Sequence, residues 1–101
     1  MPQLTVLYWR DIPSQVIASA GRRNQAKVML SQRFQDAIDR AAMRGKARDA
    51  DSYLEEWRRA DPVECGDDLE AEAATAAGRI EAEYDDDRLT RLVEAGGVEP
   101  A

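Results

Sequence analysis

The stretch Leu4-Thr5-Val6-Leu7-Tyr8-Trp9-Arg10-Asp11-Ile12-Pro13-Ser14-Gln15-Val16-Ile17-Ala18-Ser19-Ala20-Gly21 decides the fold. Residues 4–9 bear no charge and are rich in β-branched and aromatic side chains, which fit a pleated surface. Both alternating sets, Leu4/Val6/Tyr8 and Thr5/Leu7/Trp9, are largely apolar, which predicts a strand covered on both faces. Pro13 cannot donate to a ladder and biases Ile12 toward an extended conformation, so residues 10–14 read as a connection. Residues 15–20 make a second, weaker strand that stops at Gly21, and the five residues between suit an antiparallel hairpin. Lys27-Val28-Met29-Leu30 can add a short third strand.

After the hairpin the periodicity changes to that of helices. Ser31 reads as an N-cap, and Phe34, Ala37, Ile38, Ala41 and Ala42 recur at helical spacing up to Gly45. Asp49 or Asp51 can cap a second helix with Tyr53, Leu54 and Trp57 on one side and Pro62 as its stop. Asp67 and Glu70 resemble a capping box ahead of Leu69, Ala73, Ala76, Ile80 and Tyr84. Asp85-Asp86-Asp87 can cap a last helix with Leu89, Leu92 and Val93, closed by Gly96-Gly97. The fold class is therefore α+β: a small antiparallel hairpin or three-stranded sheet followed by three to four helices. One domain spans residues 1–101, with a ββα(α) core over 4–60 and an acidic, alanine-rich helical segment over 61–101. Alanine buries little area, so the two C-terminal helices are expected to dock weakly or against a partner.

Composition narrows the chemistry. The chain of 101 residues has no histidine, which removes the commonest general acid–base group and metal ligand. Seventeen of its apolar residues are alanine, and Val, Ile, Leu and Phe together number 18, so the core is thin. The net charge of −6 divides unevenly: residues 1–60 hold 11 basic and 7 acidic side chains, and residues 61–101 hold 3 and 13. Either the acidic half packs over the basic half or the two surfaces meet different partners. A single cysteine, Cys65, excludes an internal disulfide, and the N-terminus lacks the pattern of a signal peptide. No apolar run approaches the length of a membrane span. The expectation is a cytoplasmic protein without a membrane segment.

Tyr8-Trp9-Arg10-Asp11-Ile12-Pro13, Gln15-Val16, Gly21-Arg22-Arg23, Leu30-Ser31, Arg33-Phe34 and Ala37-Ile38-Asp39 together resemble the bacterial "virulence factor" domain family. The chain also resembles the C-terminal part of conserved virulence factor C proteins. The resemblance covers roughly residues 3–95, with Tyr-Trp-Arg-Asp-Ile-Pro its most specific run. It implies a role in bacterial fitness rather than a chemistry, and it carries over no catalytic residues. More loosely, stand-alone members look like companions of folate- and corrinoid-dependent one-carbon enzymes.

Several residue groups are candidates for function. Tyr8, Trp9, Arg10, Arg22 and Arg23 form an aromatic-basic set that, at one end of a hairpin, can stack bases and hold phosphates. The competing reading puts Tyr8 and Trp9 in the core and Arg10 in an ion pair. Arg22 and Arg23 in a glycine turn, with Ser31 at a helix N-terminus, can hold an anion, although Gly-Arg-Arg also serves as a solvated turn. Tyr53, Trp57, Leu69, Ile80 and Tyr84 are candidates for a protein interface, or for the core. Asp85–Asp87 lack the loop pattern of a cation site, and Cys65 lacks a base, so no metal, cofactor or catalytic residue is expected. The leading expectation is a non-enzymatic accessory module completed by a protein partner or by a second copy of itself. As a subunit it can still contribute to a larger enzyme. The alternative is single-stranded nucleic-acid binding through the aromatic-basic sheet surface.

Overall fold

Arg10 and Asp11 alone join the first two strands: β1 (Gln3–Trp9) runs into β2 (Ile12–Ala20) with Trp9 paired directly to Ile12. The computed structural model describes residues 2–21, 23–44 and 54–98. The connection is shorter than the five residues expected, and the second strand begins before Pro13. Proline is tolerated here because the β1–β2 register shifts between Leu7 and Tyr8, next to the Tyr8–Pro13 pair. The third strand, β3 (Asn24–Met29), pairs with β2 only from Gln15 onward, so no neighbour needs a donor at Pro13. Arg10 takes φ +54°, the left-handed conformation that a two-residue hairpin loop demands at its first central position.

Helix α1 (Gln32–Arg44) buries Phe34, Ala37, Ile38, Ala41 and Ala42, the five residues whose spacing predicts it. The chain then departs from expectation. Leu54 and Glu55 are helical, but Trp57 belongs to β4 (Trp57–Arg59), not to a helix with Leu54; Tyr53 and the caps expected at Asp49 or Asp51 lie outside the described residues. The cause is tertiary pairing. Trp57 sits opposite Trp9, and Arg58 sits opposite Tyr8, with its guanidinium stacked on the ring 4.8 Å from the centroid. Such cross-strand pairs stabilise a strand where sequence spacing alone reads as a helix. A two-residue strand, β5 (Val63–Glu64), pairs with the start of β1. The five strands form one antiparallel sheet in the order β3-β2-β1-β4, with β5 also on β1.

Two helices complete the α+β arrangement. In α2 (Leu69–Glu83) the N-cap is Asp68, which accepts from the Ala71 amide at 3.2 Å, so the cap lies one residue beyond the expected Asp67 and the box with Glu70 does not form. Glu72 instead reaches back to the Gly66 amide at 3.1 Å. This helix does not dock weakly: Ala73, Ala76, Ala77 and Ile80 are buried, and α2 packs on β2 and β3. Small alanine side chains let it approach the sheet closely, which compensates for the little area each removes from water. In α3 (Asp86–Glu94) Asp85 caps as expected, accepting from the Arg88 amide at 2.8 Å, and Leu89 and Leu92 are buried. The helix packs along α1.

The end of α3 ties the two halves together. The Gly97 amide donates to Leu92 O at 2.7 Å and the Gly96 amide to Val93 O at 3.0 Å, the paired bonds of a Schellman ending. Gly97 O then accepts from the Asp11 amide at 2.8 Å, and Gly96 O accepts from the Arg10 guanidinium at 2.6 Å. Gly97 has φ +97°, and a Cβ there would lie 2.8 Å from Cζ3 of the fully buried Trp9. Gly78, within α2, has open space where a Cβ would go. The two glycines should respond oppositely to alanine. Gly97→Ala is expected to cost at least about 1–2 kcal/mol from the backbone alone, with the Trp9 contact in addition. Gly78→Ala should add about 0.5–1 kcal/mol. Urea denaturation of both variants checks this, and equal effects would contradict the packing described.

Candidate functional site

The described members of the aromatic-basic set do not form one surface. Trp9 has no exposed area, and its ring is covered by the Arg10 guanidinium at 4.9 Å and by Gly97. Arg10 is held by Gly96 O and by Glu56 Oε2, 3.4 Å from its Nε. Arg23 is exposed in the turn before β3, where Gln3 pairs with Ser19. That is the opposite end of the hairpin from Trp9, roughly 20 Å away at about 3.3 Å per residue. The expectation that these groups share one end therefore fails on register. Arg22 lies outside the described residues.

The anion set is likewise separated, because Arg23 and Ser31 flank opposite ends of β3. Ser31 already meets an anion from within the chain. Its amide donates to Glu81 Oε2 at 2.6 Å, and its hydroxyl donates to Glu81 Oε1 at 2.9 Å instead of capping α1. Arg33 donates to the same carboxylate at 3.0 Å, to Glu81 O at 2.7 Å and to the Tyr84 carbonyl. It also pairs with Asp86 at 3.4 Å and lies over the Phe34 ring at 4.6 Å. The acidic segment thus packs over the basic one at this point.

Of the interface set, Ile80 and Tyr84 are buried within this chain, Leu69 and Trp57 pack partly buried against the same core, and Tyr53 lies outside the described residues. Cys65 is partly exposed; desolvation, then Glu72 and Asp67, push its thiol up from its ordinary value, away from the thiolate a nucleophile needs. Among the described residues no cluster of three potential metal-ligating side chains occurs. No helix among them is long and apolar enough to cross a membrane.

Two concave surfaces lie among the described residues. The larger, about 460 Å³, is a groove between α1 and α3, where Arg33, Arg40 and Arg44 face Asp86, Thr90 and Glu94 over Ala37 and Leu89. It is laced at its ends by the Arg33–Asp86 pair and by Arg44 Nε donating to Glu94 O at 3.3 Å. The smaller, about 330 Å³, is lined by Tyr8, Asp11, Arg58, Ala60, Tyr84 and Arg88. It unites Tyr8 from one predicted group with Tyr84 from another and with Arg58, which neighbours Trp57 in the sequence, and adds Arg88, which sequence spacing did not single out. Arg88 lies over the Tyr84 ring at 3.9 Å, as Arg58 lies over Tyr8. Arg88 carries no signal in the sequence beyond its chemistry, because it joins Tyr8 and Arg58 only in the fold.

The family model described as Virulence factor matches residues 7–93. The chain belongs to the virulence factor family. No curated protein and no solved structure matches it. Within this family member, the Tyr-Trp-Arg-Asp-Ile-Pro run that carries the resemblance is a structural corner: Trp9 is the core anchor, and Arg10 and Asp11 clamp the end of α3.

Burial raises the Glu81 carboxyl, but the amide and hydroxyl of Ser31 together with Arg33 outweigh it and hold Glu81 below the usual carboxylate value. A folded-state value below the unfolded one gives stabilisation that is complete above the unfolded value and is lost as pH falls through the folded one. Glu81→Gln should therefore lower the urea midpoint at neutral pH, and its difference from the parent should shrink as pH falls below the unfolded carboxylate value of about 4.3. A difference that persists unchanged across that range would contradict the assignment.

Proposed function

We propose that this virulence factor family member is a non-enzymatic accessory module that works by binding another protein. The observation supporting this reading is the contrast between its two sheet edges. On the β1 side the outer strand is divided into β4 and β5, of three and two residues, a short and interrupted edge. On the other side β3 is six residues long, pairs only with β2 among the described strands, and ends at Met29, which is 63% exposed. An edge strand of that length offers a row of backbone donors and acceptors to an incoming strand, and Lys27 is the one charge along it that guards against indiscriminate pairing. The absence of histidine from the sequence supports the non-enzymatic part of the reading. The resemblance suggests bacterial one-carbon metabolism as the setting, with a folate- or corrinoid-dependent enzyme as the protein served.

Burial of Trp9 and engagement of Arg10 weigh against the nucleic-acid alternative, since neither is presented for base stacking or phosphate contact.

The test is reconstitution with candidate one-carbon reductases and methyltransferases, read by light scattering, with the parent chain and a Met29→Asp/Val28→Asp variant. A complex formed by the parent and lost in the variant is expected, with slowed hydrogen exchange in β3. A complex that the variant forms equally well overturns the edge as the binding surface. Salt-sensitive binding of single-stranded RNA or DNA at about 50 mM salt would favour the alternative instead.

A further inference from the structure

The backbone of β3 divides its bonding between two sides. Leu30 N donates to Ser14 O at 3.1 Å, continuing the register in which Val28 faces Val16 and Ala26 faces Ala18. Bonds in an antiparallel ladder alternate, so the even-numbered residues of β3 bond to β2, while Gln25, Lys27 and Met29 turn their amides and carbonyls outward. Their side chains are exposed, whereas Ala26 and Val28 pack against the core on the helix side of the sheet.

Lys27 is the one charge on this strand, and it selects how the strand can pair with a copy of itself about a two-fold axis. Like charges set directly opposite each other are destabilising. An axis at Lys27 opposes Lys27 to its own copy, and an axis at Gln25 opposes Lys27 to Arg23. An axis at Val28 leaves only residues 27–29 of the strand paired. An axis at Ala26 pairs residues 24–28 throughout: Lys27 lies opposite Gln25, Asn24 opposite Val28, and the small Ala26 opposite itself. In that register the outward amides and carbonyls of Gln25 and Lys27 meet those of the second copy.

The helix above leaves room for such a pairing. α2 packs over β2 and β3. One flank of α2 carries Glu81, which bonds Ser31 just beyond β3, and the other carries Glu72, which bonds Gly66 just beyond β5. Ala74 and Gly78 share the Glu81 flank at helical spacing. Both are exposed, and Gly78 has open space where a Cβ would go. Two sheets joined at β3 set the two α2 axes about two strand spacings apart, roughly 10 Å. Helices approach to that distance without a clash when the facing side chains are small.

We infer that β3 pairs with β3 of a second copy of this chain, antiparallel about a two-fold axis at Ala26, so that the free module covers its own edge. The inference rests on the reading of β3 as the binding edge and adds its regulation: an incoming protein strand must displace the second copy. A contact of one strand and one helix flank is small, and small interfaces exchange readily.

The experiment follows the full chain by light scattering from about 5 to 500 μM and, on a ¹⁵N-labelled sample, the hydrogen exchange of the β3 amides. The mass should rise from one chain toward two. The Gln25 and Lys27 amides should slow in step with it, while Ala26 and Val28, already bonded to β2, change less. Gln25 is exposed, so its substitution leaves the fold intact. Gln25→Lys sets two like-charge pairs against Lys27 and should weaken the dimer severalfold; Gln25→Glu sets two opposite-charge pairs there and should tighten it severalfold. A single-chain mass across the whole range overturns the inference and leaves binding of another protein at β3 standing. A dimer that responds alike to both substitutions also overturns it. A dimer with the expected responses that no candidate enzyme displaces supports the inference and counts against the function proposed above.

Discussion

Trp9 is the contact on which the rest of this structure depends. A buried tryptophan removes roughly 150–250 Å² from water, worth about 4–6 kcal/mol at about 25 cal/mol per Å². No alanine in this core approaches that, and the seven buried alanines among the described residues contribute only in small increments. Trp9 also stands where three parts of the chain converge. It pairs with Ile12 across the hairpin turn and with Trp57 of β4, and it is overlaid by Gly97 from the end of α3. The N-terminal sheet and the C-terminal acidic segment are held together at this residue.

Arg10 explains why the neighbouring sequence is so specific. Its positive φ turns the hairpin, its guanidinium covers the Trp9 ring, and the same group bonds Gly96 O and pairs with Glu56. A residue that combines a left-handed backbone with a three-way clamp has little freedom to vary. The motif that most resembles the virulence factor family is thus spent on architecture. The residue beside Trp9 on the strand, Tyr8, carries the Arg58 guanidinium on its ring.

Local signals in the sequence were sufficient for much of the fold. The charge-free 4–9 run, the Phe34–Ala42 stripe and the Asp85 cap each act within a few residues, and each forms the element its spacing predicts. Where long-range pairing competes with local spacing, the sequence misleads. Trp57 reads as helical from its distance to Leu54, but its partner is Trp9, 48 residues earlier. Pro13 reads as a break because the register shift that accommodates it is a property of the ladder, not of the dipeptide. Glu81 over Ser31 and Arg33 is invisible in one dimension for the same reason, as is the meeting of Tyr8 with Tyr84 in one cleft. Grouping Arg23 with Tyr8 failed because a hairpin of this length places successive turns at opposite ends of the sheet.

The central claim is that Trp9 and Gly97 are in direct contact and that this contact fastens α3 to the hairpin. A double-mutant cycle of Trp9→Phe and Gly97→Ala, read by urea denaturation, tests it most directly. Phenylalanine keeps an aromatic core residue but withdraws the outer ring atoms that a Cβ at 97 would meet. The penalty for alanine at 97 should then fall by about 1 kcal/mol or more in the phenylalanine background, the size of coupling found between touching residues. Additive effects of the two substitutions would contradict the account.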